Sequence, residues 1–147
     1  MKQTKLFNLL FPIWLLGLFP LMWLIIIPGN FIIDSLVLIV CLFILKINSK
    51  KEFYKKNILK IYLFGMLSDF IGAGLIALLF FVFRIGIRGD ELYLTIPSVI
   101  ITGLLIYIFN YKISFKNCEP KIRKRLSLIF AIVTAPYTFM IPISWIY

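Results

Sequence analysis

The sequence predicts an all-α integral membrane protein: a five-transmembrane-helix bundle with its N-terminus in and its C-terminus out. Three observations carry that expectation. Of the 147 residues, 62% are hydrophobic and only 15% are charged, whereas a soluble domain sits near ~45–50% apolar and ~25% charged. So few polar side chains cannot cover a water-soluble enzyme, and so apolar a chain is not a disordered one. Second, the apolar residues fall into runs of the ~20 residues that a hydrocarbon core of ~30 Å requires. Third, lysine and arginine are divided among the loops in the way that orients membrane proteins.

The expected spans are approximately 6–28, 30–47, 58–83, 94–113 and 126–147, within a single transmembrane domain covering residues 1–147. They lack the apolar–polar alternation of barrel strands. The first run follows Met1-Lys2-Gln3-Thr4-Lys5 and so imitates a secretory signal. It exceeds a signal core of ~7–15 residues and has no small-x-small cleavage site, so it reads as a retained span. Pro28-Gly29-Asn30 reads as a tight turn between the first two spans. The other connections are short enough to make consecutive helices antiparallel neighbours. Prolines mark the two end spans: Pro12, Pro20 and Pro28 in the first, Pro136 and Pro142 in the fifth. Each interior proline frees a carbonyl, either as a common feature of membrane helices or as the mark of a broken helix lining a site.

With the N-terminus inside, the cytoplasmic face takes Lys2 and Lys5, then Lys46, Lys50, Lys51, Lys55, Lys56 and Lys60, then Lys112, Lys116, Lys121, Arg123, Lys124 and Arg125. Of the 16 basic residues only Arg84 and Arg88 fall outside. This bias argues against a dual-topology dimer. The net charge of +10 therefore reads as topology, and no nucleic-acid partner is expected. The expected partners are the bilayer and anionic lipid headgroups at the inner basic loops, attracted by about 1 kcal/mol per residue. Abundant Ile, Lys, Asn and Phe point to a low-GC bacterial genome, hence to a multi-pass protein of the bacterial cytoplasmic (inner) membrane.

The chain has no histidine, and Cys41 and Cys118 lack CxxC spacing. No metal, cofactor or catalytic residue is assigned, and both thiols read as inert. The GxxxxGK[ST], GxGxxG and HExxH patterns are absent.

The informative residues are the acids within the spans. Glu52, Asp90, Glu91 and Glu119 fall in loops; Asp34 and Asp69 do not. A carboxylate near a helix centre costs roughly 2.5–3.5 kcal/mol on insertion scales, so it usually faces a bundle interior or an aqueous cavity. Counted from Ile47, Asp34 lies about 20 Å up the second helix, and Asp69 lies about 17 Å up the third from Ile58, at ~1.5 Å per residue. The hairpin thus puts both acids within about one turn of each other, with Ser35 and Ser68 beside them. The same count adds Thr102, Tyr137 and Thr138 to the layer, while Gly65, Gly72 and Gly74 let neighbouring helices approach Asp69 closely. No lysine or arginine lies at that depth. Two close acids without a counter-ion hold a proton or bind a cation. The competing structural account makes Asp34 a helix N-terminal acid and Asp69 a protonated packing residue.

Three function classes follow. The first is a proton- or cation-linked transporter or channel subunit built on Asp69 and Asp34, with Ser68, Ser35, Thr102, Tyr137 and Thr138 as secondary ligands; five spans make a thin conduit, so a homo-oligomer is expected. The second is a non-catalytic accessory or immunity-type protein acting through helix contacts with a partner membrane protein. The third, an intramembrane aspartyl-type hydrolase, rests on the two depths alone, because Gly65-Met66-Leu67-Ser68 precedes Asp69 where a GxGD pattern would be needed.

Overall fold

The computed structural model describes residues 20–83 and 92–137. Among these the protein forms four α-helices: α1 (Pro20–Ile44), α2 (Lys50–Phe83), α3 (Leu92–Phe109) and α4 (Pro120–Val133), with a π-helical turn at Asn110–Ser114 following α3. Three stretches are long and apolar enough to cross a membrane: Trp23–Ile44, Lys50–Leu79 and Thr95–Ser114, with mean hydropathies of 2.3, 1.8 and 1.6. Both chain termini, and with them the predicted N-in, C-out orientation, lie outside the described residues.

Two boundaries depart from expectation. Pro28-Gly29-Asn30 is not a turn: α1 runs straight through it. Proline has a helical φ and forfeits one intrahelical hydrogen bond, here the bond to the carbonyl four residues back. A chain reversal inside hydrocarbon would leave several backbone groups unpaired, so the single loss is the cheaper outcome. The expected first and second spans are therefore not separated at residue 29. The described part of the expected fifth span also departs from expectation, residues 138–147 lying outside the described residues. α4 begins at Pro120, well before Leu126, and ends at Val133 after 14 residues, because Pro136 disfavours the helical conformation for Ala135. The Thr134 backbone N–H and hydroxyl both donate to the Phe130 carbonyl, at 2.9 and 2.8 Å, closing that end. Four α-helices are present among the described residues where five spans were expected, and residues 6–19 of the expected first span lie outside the described residues.

The basic connections are more helical than predicted. α2 starts at Lys50 and reaches 34 residues, about 51 Å at 1.5 Å per residue, so its lysine-rich first turns extend beyond a hydrocarbon core of ~30 Å. The turn between α1 and α2 is a Schellman motif. Ile47 N–H donates to Leu42 C=O at 3.2 Å and Lys46 N–H to Phe43 C=O at 3.3 Å, while Lys46 takes φ = 50°. Ile47 packs against the cluster that contains Leu42, the apolar contact that accompanies this cap.

A buried cluster of Leu38, Cys41, Leu42, Ile58, Ile61, Ile106, Phe115, Leu126 and Phe130 joins all four helices near this basic end. Phe115 is fully buried, and its ring lies 6.2 Å from Phe53 and 6.0 Å from Phe130. That contact brings the α1–α2 and α3–α4 connections to the same end of the bundle. Arg123 fastens the second connection: its Nε donates to the Tyr111 carbonyl at 2.6 Å, and its guanidinium stacks 3.9 Å from the Tyr111 ring centroid. Burial pushes the nearby Cys118 thiol up, against the opposing pull of Arg123 and Lys56, and both cysteines are free.

A non-glycine residue in left-handed backbone carries a penalty of about 1–2 kcal/mol. Lys46→Gly should relieve it and raise the thermal midpoint of the detergent-solubilised protein, by the equivalent of about 1 kcal/mol. A lowered midpoint would show that the Lys46 side chain matters more than its backbone angle.

Candidate intramembrane carboxylate site

On α1, Asn30 and Asp34 are four residues apart and stand one above the other. On α2, Gly65 and Asp69 have the same spacing. The two helices meet so that Asn30 lies level with Asp69 and Asp34 level with Gly65. The Asn30 side-chain amide donates to Asp69 Oδ2 at 3.5 Å, and a Cβ placed on Gly65 would lie 3.6 Å from Asp34 Oδ2. The acids are therefore offset by about one helical turn across the α1–α2 crossing.

Their surroundings are protein rather than lipid. Asp34 is 6% exposed, and Asp69 is half-buried. Asp69 Oδ1 is buried and has no hydrogen-bond partner, a state that costs about 1–3 kcal/mol or more for a polar atom. A carboxyl oxygen of this kind can accept a hydrogen bond, a proton or a cation. No group of three or more His, Cys, Asp or Glu suited to a metal ion occurs among the described residues. The oxygens available to an ion here are the two carboxylates and the Asn30 amide oxygen, a hard set suited to a proton or a small hard cation.

The other expected site residues divide into three groups. Ser68 is fully buried one position before Asp69, but its hydroxyl donates to the Phe64 carbonyl of its own helix at 2.8 Å, as serine inside a helix commonly does. Ser35 is also spoken for, since its hydroxyl shares a 3.0 Å hydrogen bond with Tyr54 OH. Thr102 is fully buried on α3, with an unpartnered hydroxyl. Tyr137 is 50% exposed, and its hydroxyl donates to the Ile132 carbonyl. Thr138 lies outside the described residues.

The glycines behave differently from one another. Gly65 is the point of close approach, Gly72 is buried on the same helix, and Gly74 is exposed with nothing near its Cβ position. Gly74 therefore packs against no described helix. Ser68, Gly72 and Ile76 are buried at four-residue intervals along α2. On the neighbouring α3, Thr95, Ser98 and Thr102 are likewise buried. This small and polar stripe lets the helices pack tightly.

Sequence reasoning missed Asn30, which was absorbed into a turn. The signal available was its four-residue spacing from Asp34 on an unbroken apolar run. It also missed a second buried polar group at the basic end. Asn110 is fully buried with both amide atoms unpartnered, and Ser114 and Ser127 are buried with unpartnered hydroxyls.

No protein-family model, curated protein or solved structure matches the chain. The chemistry of the site therefore rests on its own residues.

A single added methyl at Gly65 meets Asp34 at ordinary van der Waals distance. Gly65→Ala should stay folded with a thermal midpoint at or above wild type, helped by roughly 1 kcal/mol of helix propensity. Gly65→Leu must displace the Asp34 carboxyl or part the helices, and its midpoint in detergent should fall well below that of Gly65→Ala. Equal midpoints would show that α1 and α2 do not approach closely at this level.

Proposed function

We propose that this chain is a multi-pass membrane protein that carries a proton or a small cation through an intramembrane carboxylate pair, as a transporter or channel subunit. The observation that supports this most is the unpartnered, buried Asp69 Oδ1 in a helix crossing that also encloses Asp34. Thr102, Asn110, Ser114 and Ser127 also carry buried unpartnered polar atoms, and what sets Asp69 apart from them is that its open oxygen belongs to an ionisable group, which a proton or a cation can neutralise. A carrier must leave an acceptor open, so that its ion can bind and depart.

In this reading Asp69 is the carrying group. Asn30 holds Oδ2 and aims the carboxyl, leaving Oδ1 free. Asp34, one turn away, disfavours a second negative charge nearby, so that neutralisation of Asp69 by a proton or cation is linked to the state of Asp34. Thr102 supplies a further hydroxyl from α3. Only 17% of the α1 span is buried within the chain, leaving a large helix surface for a second copy, in keeping with a homo-oligomer. The basic end is cytoplasmic on the positive-inside rule, in a bacterial inner membrane. The same uncovered surface also fits the accessory reading, in which a partner membrane protein takes the place of the second copy.

The test is current across a solid-supported membrane carrying liposomes of purified protein, driven by pH and cation jumps. Wild type should give a transient current, and Asp69→Asn should abolish it. Asp34→Asn should alter its pH or ion dependence, and Glu52→Gln, in the exposed first turn of α2, should leave it intact. A full-sized current from Asp69→Asn would remove the central residue of this proposal. Silence from folded, inserted wild type would favour the accessory reading.

A further inference from the structure

We infer that the groove between the end of α1 and the start of α2 is a binding site for one anionic phospholipid, with the headgroup held by Lys50 and Lys51 and an acyl chain lying along Ile39, Leu42, Phe43 and Tyr54. These six residues line a cavity of about 230 Å³ that is open to one side. Its wall is apolar except at the end where α2 begins. Leu42 forms a buried floor at 2% exposure, while Ile39 and Phe43 are 40% and 64% exposed. The other polar group near the wall, the Tyr54 hydroxyl, shares a hydrogen bond with Ser35.

The two lysines decide the class of ligand. Both are exposed, and no ion pair to either occurs among the described residues. Lys50 is held in place, its Nζ 4.0 Å from the centroid of the Phe43 ring, in the range of a cation–π contact. The side chain that walls the groove therefore also fixes a positive charge at its mouth. Two lysines at one end of an otherwise apolar groove match a molecule with an anionic head and a hydrocarbon tail. Neither a wholly apolar helix from another protein nor a soluble phosphate matches both parts. This is more specific than attraction of anionic lipid to the basic loops as a whole. It needs only the membrane setting and not the carboxylate chemistry.

The test is native mass spectrometry of the delipidated full-length protein, titrated with phosphatidylglycerol or phosphatidylcholine of the same chain length. Wild type should bind a first phosphatidylglycerol more tightly than phosphatidylcholine. Lys50→Gln with Lys51→Gln should weaken that first binding by about tenfold or more, because both charges at the groove are removed. The charge-matched control, Lys121→Gln with Lys124→Gln, should change it by less than about twofold. Ile39→Trp keeps both lysines and fills the groove; since Ile39 is already exposed, the chain should fold, and the first lipid should be lost. Glycerol phosphate should not compete. Equal losses in the two double variants would mean diffuse surface attraction and would overturn the site. So would an unchanged Ile39→Trp, equal affinity for the two lipids, or displacement by glycerol phosphate. No current is measured, so failure here is separate from failure of the transport proposal.

Discussion

A carboxyl group on a long apolar helix needs cover from its surroundings, and in this chain the close crossing of α1 and α2 provides it. Gly65 permits it. With no side chain there, the Asp34 carboxyl occupies the space a Cβ would adjoin, and the two helices share a register in which Asn30 reaches Asp69 one turn away. A larger residue at 65 would separate the helices at the level where the two acids need cover. The rest of the arrangement depends on that register, including the enclosure of Asp34 and the open oxygen of Asp69.

The two ends of the bundle are built on different physics. At the carboxylate level, small residues and short polar side chains along α2 and α3 replace bulk with proximity, because lipid tails are as apolar as leucine and provide no hydrophobic drive for helices to associate. At the basic end the chain leaves the hydrocarbon, and the solution resembles that of a soluble protein. There, Phe53, Phe115 and Phe130 gather the connections into one apolar cluster, a Schellman cap closes α1, and Arg123 ties α4 to the π-helical turn. A rigid, aromatic, cation-rich end thus supports a more loosely covered set of helices.

Composition, the apolar runs and the position of the acids were legible without coordinates, since bilayer thickness sets the length of a span and the cost of buried charge singles out Asp34 and Asp69 from the other acids. Local propensity misled at Pro28-Gly29-Asn30. In water that tripeptide ends helices; in an apolar stretch a reversal would strand more backbone groups than the one that proline forfeits. The same residue type had the opposite outcome at Pro136, where four charged residues in the first turns of α4 and a capping threonine leave only a short helix before it. Proline alone does not distinguish these outcomes. The pairing of its neighbours' backbone groups does.

By itself the sequence pointed to an all-helical, strongly apolar chain and, within an expected set of five spans, to the stretches that form the three long apolar helices, because these follow from hydropathy and from the length of an apolar run. Only the tertiary structure decided which faces of α1 and α2 meet. Rotation about a helix axis is set by packing, and α1 and α2 are apolar nearly all round, so their sequences carry little amphipathic signal to orient them. That rotation turned Asn30 from a turn residue into a partner of Asp69, committed Ser35 to Tyr54 and Ser68 to its own backbone, and left Gly74 facing outward. It also opened the groove beside Lys50 and Lys51, since a groove belongs to two helices together and to neither sequence alone.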